Sequence, residues 1–329
     1  MRAAVFCLSD RFAVNHPVVV ALLPVVLFIL TGYVAGRRRW IGGGAVRDLS
    51  NLVFMLLLPA LLFRTMSAVH LEQLDFKPIA MYFGAAGLVY ALVIAVKGYN
   101  PTGAVLALAG TFSNTGMIGI PLIGLAYGQP GMVTLFTLIS LHSLVLLTAG
   151  NIVLELAAQR EDARRGVAST QSVWVTVGGA LRKGIIHPIP LPILAGLLFG
   201  STGLSIPPLL DQPLQLLGNA MGPIALVLVG VTLAYGSVGS HLKGALMMAG
   251  VKNVLHPATV LALGWLLGLS GVPLAVMVVT AGLPIGANVY LFSQRYGVAE
   301  ELTTASVAVT TVMGLVTLPL AMLLVRGLI

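Results

Sequence analysis

Residues 111–128 read TFSNTGMIGIPLIGLAYG, and residues 280–297 read TAGLPIGANVYLFSQRYG. Each is an apolar stretch broken near its centre by residues that do not continue a helix. The first carries Ser113, Asn114, Thr115, Gly116, Gly119 and Pro121, and the second Gly282, Pro284, Gly286 and Asn288. Proline lacks the N–H donor and clashes with the preceding turn, while glycine leaves helical geometry at low steric cost. The two stretches have equal length and share their first Thr, an internal Leu and the closing Tyr-Gly. A helix that breaks in hydrocarbon leaves backbone polar groups without partners, which is tolerated only where the break lines a cavity or is buried in protein. Two such breaks in matching places predict a crossing point around a binding site.

The rest of the chain supplies the hydrocarbon setting. Of 329 residues, 58% are hydrophobic and 9% charged, at a mean hydropathy of +1.00; a soluble domain carries about 25% charged residues. A membrane span needs about 20 apolar residues, and turn signals place spans near 17–36, 47–66, 78–96, 102–126, 132–157, 185–203, 214–236, 245–268, 273–294 and 301–325. The expected fold is an all-α polytopic membrane protein of ten transmembrane helices. Residues 1–16 read as a short tail, because Asp10, Arg11 and Asn15 interrupt any signal-peptide core. The single cysteine, Cys7, excludes an internal disulfide framework.

A net charge of +8 fits the positive-inside rule, with no nucleic-acid partner required. With the N-terminus outside, 13 of the 18 Lys and Arg fall on the inner side, leaving Arg2, Arg11, Arg64, Lys77 and Arg326 outside. The expected location is a bacterial inner membrane, multi-pass, with both termini outside. The one long polar connection, 158–184, separates a first five-helix repeat (1–157) from a second (185–329). An odd number of spans per half makes these two repeats inverted, an architecture of many secondary transporters. The two breaks then fall on spans 4 and 9.

Half-helices that begin at a break aim N–H groups and the positive end of the peptide dipole at the cavity, which favours an anion. Ser113, Asn114, Thr115, Pro121, Pro284, Gly286 and Asn288 are the expected substrate-binding residues, with the two asparagines supplying amide donors. No Lys or Arg lies in the middle of either broken span. His142, near the middle of span 5, is an intramembrane ionisable residue and hence a candidate for substrate binding or proton coupling; a packed neutral histidine is the plain alternative. Lys252 and His256, at i and i+4 on span 8, are placed near its inner end, with Lys252 snorkelling to headgroups. Glu155 reads as interfacial. No cofactor or metal is expected, and no nucleotide or protease motif points to an enzyme.

SNTGMIGIPL at 113–122, GLPIGANVYLFSQRYGV at 282–298 and TTASVAVTTVMGLVTLPL at 303–320 resemble the auxin efflux carrier family, in its bacterial malonate-type branch. The resemblance implies ten helices in inverted repeats with crossed, broken helices 4 and 9. It also implies a homodimer in membrane lipid and a small organic anion such as a mono- or dicarboxylate. Asn114 matches the family's asparagine beside the crossing, and Pro284 its crossing proline. Ser113 and Asn288 stand where the plant carriers tend to have proline, and span 3 has no ionisable residue between Lys77 and Lys97, so a carboxylate–lysine pair there does not carry over. A sodium-coupled symporter of the bile-acid type, or a ligand-sensing receptor on the same fold, remain the alternative readings.

Overall fold

The computed structural model describes residues 17–69, 74–164, 190–236 and 239–327. The expected N-terminal tail with Cys7, and the 158–184 connection beyond Arg164, lie outside the described residues. The architecture is all-helical. Its helices are α1 Pro17–Arg37, α2 Ala45–Met66, α3 Lys77–Lys97, α4 Pro101–Thr111, α5 Thr115–Arg164, α6 Pro190–Ser201, α7 Pro208–Tyr235, α8 Gly239–Leu266, α9 Gly271–Gly282, α10 Asn288–Tyr296 and α11 Glu300–Arg326. Six of them, α2, α3, α5, α7, α8 and α11, are long and apolar enough to cross a membrane, and four further apolar helices are shorter.

Local chemistry sets the boundaries. Gly98, at φ 88°, ends α3, and Asn100 caps α4 by accepting the Gly103 N–H at 2.8 Å, with Pro101 as the first helical residue. Gly128, at φ 58° and ψ −149°, divides α5 into an arm over 115–127 and one over 129–164. The stretch expected as span 4 thus corresponds to α4 and the first arm of α5, and that expected as span 9 to α9 and α10. On α3, Leu88, Leu92 and Val96 form an exposed stripe at i, i+4 and i+8, while Ala85, Ala86, Val89 and Val93 face inward.

Two groups of helices pack separately. In one, α7 lies along α1 and touches α2, which also packs against α6. Glycine permits the α1/α7 approach: a Cβ on Gly32 would collide with the Val227 carbonyl, and one on Gly230 with the Ile29 carbonyl. Close backbone packing through small residues is the common way to join helices in lipid. In the other group, α3 packs on α4 and α8, and α9 on α8, α11 and α5. The groups meet where α1 touches α5 and α11 and α7 touches α5, the latter beside a cavity of about 330 Å³ lined by Pro24, Phe28, Leu61, Pro121, Asn219 and Pro223.

Candidate functional site

The α4 helix stops at Thr111 and α9 at Gly282, and the chains leave in extended conformation at Phe112 and Leu283. The two segments then pass one another antiparallel, with Ser113 opposite Ile285. The Asn114 N–H donates to the Pro284 carbonyl at 2.9 Å, and the Gly286 N–H donates to the Phe112 carbonyl at 3.0 Å. The Ile285 N–H, pointing away from this pair, donates to Thr310 Oγ1 on α11 at 3.2 Å. The broken backbone is thus satisfied inside the protein, as hydrocarbon demands. Pro284 needs no donor partner. Gly286 must lack a side chain, because a Cβ would lie 2.6 Å from the Phe112 ring.

Helix resumes on both sides. Asn114 is the cap of α5: its Oδ1 accepts the Met117 N–H at 3.2 Å, and its carbonyl accepts the Gly119 N–H at 3.1 Å. Thr115 is buried at the start of that helix. Asn288 opens α10, partly buried, and its amide has no hydrogen-bond partner among the described residues.

Behind the crossing lies a buried polar cluster. Ser113 Oγ is its hub, accepting from Lys252 Nζ at 2.9 Å and pairing with the Tyr82 hydroxyl at 3.2 Å. The Tyr82 hydroxyl in turn reaches His142 Nε2 at 3.4 Å. The His256 ring packs 5.4 Å from that of Tyr82, and His142 lies 4.7 Å from the Phe112 ring. Tyr82, Lys252 and His256 are wholly buried. No carboxylate pairs with Lys252 among the described residues.

Lys252 does not snorkel. It donates to Ser113 Oγ and also to the Ala281 carbonyl, and the next residue, Asn253, donates from Nδ2 to the Gly282 carbonyl and to the Thr310 carbonyl, both at 3.2 Å. The expected position near the inner end of span 8 rested on a helix beginning at 245. The helix begins at Gly239 instead, which puts Lys252 about 20 Å along its axis, at 1.5 Å per residue. A π-helical segment, Gly250–Leu255, turns Lys252 and Asn253 inward together; such segments recur at functional sites. The site is consequently not free of cationic side chains, as spans 4 and 9 alone had suggested.

Of the residues singled out in the sequence, Ser113, Asn114, Thr115, Pro284, Gly286 and His142 meet at the crossing, with Asn288 at its edge. Pro121 stands apart, facing Gly222 of α7 beside the 330 Å³ cavity. Tyr82, Lys252, Asn253 and Thr310 are members that the sequence reading left out. One signal was available: Lys252 and Asn253 stand in an otherwise uncharged run between Lys243 and Arg295. Glu155 accepts from the Tyr296 hydroxyl at 3.1 Å, tying α5 to the end of α10.

A family profile described as "Membrane transport protein" matches residues 17–322. The chain belongs to this family, that of the auxin efflux carriers. Auxin efflux carrier family relatives align along nearly the whole chain. A Rhizobium meliloti (strain 1021) protein named "Putative malonate transporter" is 28% identical over 316 residues, covering 93% of this chain and 95% of the relative. "Uncharacterized transporter YfdV" of Escherichia coli (strain K12) is 24% identical, covering 91% and 95%. "Auxin efflux carrier component 8" of Arabidopsis thaliana is 22% identical, covering 89% and 93%. The auxin efflux carrier family is one of transporters and not of enzymes, and the chain is a multi-pass membrane protein.

Proposed function

We propose that the protein is a secondary transporter of a small organic anion, a mono- or dicarboxylate, bound at the crossing of spans 4 and 9 and moved by alternating access. The observation that carries this reading is electrostatic. Two helix N-termini, at Thr115 and Asn288, open at the crossing, and Lys252 lies behind it without an acidic partner among the described residues. Helix N-termini and a cation without a carboxylate partner both favour an anion, and neither favours a second cation. Asn114 and Asn288 would then offer amide donors to a carboxylate. The relative named as a malonate transporter makes a dicarboxylate the first cargo to try.

The same reading takes the ten spans as two inverted repeats, 1–157 and 185–329, joined by a cytoplasmic loop at 158–184, in a bacterial inner membrane with both termini outside. Two offsets support the repeat. Thr111 and Gly282, where α4 and α9 end, are 171 residues apart, and Tyr82 and Lys252, both bonded to Ser113, are 170 apart. A homodimer embedded in lipid completes the proposal.

A thermal-shift screen of the purified protein against mono- and dicarboxylates, malonate and indole-acetate included, tests it. A ligand that binds only the folded state raises its stability, so one acid should raise the melting temperature of the native protein and not that of Asn114→Ala. Counterflow in proteoliposomes then separates a carrier from a sensor, because only a carrier exchanges faster with substrate on the far side. A protein that no acid stabilises is not an anion carrier of this kind.

A further inference from the structure

We infer that the Lys252 ammonium is a tethered cation occupying the place where a carrier of this design would otherwise hold a coupling sodium ion. The inference rests on the transporter reading for its meaning, but its geometry stands alone. In discontinuous transmembrane helices, sodium is coordinated by unwound carbonyls and by the C-terminal ends of half-helices. Lys252 Nζ has such a shell: the Ala281 carbonyl in the last turn of α9, and Ser113 Oγ two residues past the end of α4.

The surrounding charges agree. The last turn of a helix carries the negative end of the peptide dipole and carbonyls without intrahelical partners. Lys252 and Asn253 take up two adjacent ones of α9, at Ala281 and Gly282. The end of α4 also comes against this part of α8, since a Cβ on Gly110 would lie 2.9 Å from Val251 Cγ1. No carboxylate competes for the charge among the described residues. The other titratable groups facing the cluster are Tyr82 on α3, His142 on α5 and His256 on α8 itself, and none of them is a carboxylate. A fixed ammonium on a helix therefore does the electrostatic work of a monovalent ion, with the difference that it cannot leave with the cargo.

The test reads cations without cargo, so it fails independently of the proposed substrate. Melting temperature is measured in detergent for the native protein, Lys252→Ala and Lys252→Met, at equal ionic strength in choline, potassium or sodium chloride, with and without millimolar propylammonium. The native protein should melt at one temperature in all of these. Lys252→Ala should melt lower in choline chloride, by about 5 °C or more, the size expected when buried groups lose their partner, and should recover with sodium or propylammonium. Lys252→Met, which fills the space without the charge, should be destabilised and not recover. Three results would overturn the inference: a sodium-specific stabilisation of the native protein, a Lys252→Met as stable as the native protein, or a Lys252→Ala that melts low or fails to fold in every cation.

Discussion

Ser113 Oγ lies 2.9 Å from Lys252 Nζ across 139 residues of sequence, and the same oxygen lies 3.2 Å from the Tyr82 hydroxyl. One small hydroxyl therefore joins the broken backbone of span 4 to α8 and α3 at once. Ser113→Ala removes that oxygen and leaves a lysine and a tyrosine short of a buried partner. Each unsatisfied buried group costs about 1–3 kcal/mol, so the variant should lose stability measurably in thermal unfolding. Ser113→Thr, which keeps the hydroxyl, should lose less.

The two asparagines separate folding from binding. Asn114 caps α5 through the Met117 N–H, so Asn114→Ala should cost about 1 kcal/mol of stability in addition to cargo affinity. Asn288 spends its amide on nothing among the described residues, and Asn288→Ala should lose cargo affinity alone. Cargo titration and cargo-free melting, run side by side, read the two effects apart; unchanged affinity in both variants would remove the crossing from consideration as the site.

If His142 carries a proton during transport, the Tyr82 hydroxyl 3.4 Å away is its link to Ser113 and Lys252. Uptake into proteoliposomes should then lose its pH dependence in His142→Gln, and Tyr82→Phe should flatten it as well. A pH profile that survives both changes assigns His142 to packing against Phe112.

At the α1/α7 contact, Gly230 lies against the Ile29 carbonyl with no room for a Cβ. Gly230→Ala must push two backbones apart, and overpacking of this kind costs about 1–3 kcal/mol. Gly250→Ala, where a Cβ would meet nothing within 4 Å, is the matched control. The expected readout is a lower melting temperature and reduced membrane yield for the first variant only.

Helix positions were legible because apolar runs of span length, bounded by glycine, proline and charge, leave few alternatives in a chain that is 9% charged. The breaks were legible for the same reason, since Ser-Asn-Thr-Gly and Gly-Leu-Pro-Ile-Gly have no business inside uninterrupted helices. Lys252 was misplaced because a start error of six residues moves a side chain about 9 Å in depth, which separates a headgroup from the membrane interior. Tyr82 and Thr310 were invisible because nothing in the sequence sets them apart from Tyr90 on α3 or from the other threonines of α11; only the fold tells which of them reaches the crossing.

The two hydrogen bonds that stitch Phe112 and Asn114 to Gly286 and Pro284 have a consequence for biogenesis. The partners for the interrupted backbone of span 4 lie some 170 residues downstream, and Lys252 waits for a carbonyl that is synthesised 29 residues after it. A nascent chain that has inserted only its first half holds open backbone groups that lipid does not satisfy. Neither half made alone should reach its final shape, whereas two fragments divided within 165–189 and produced together should complete each other.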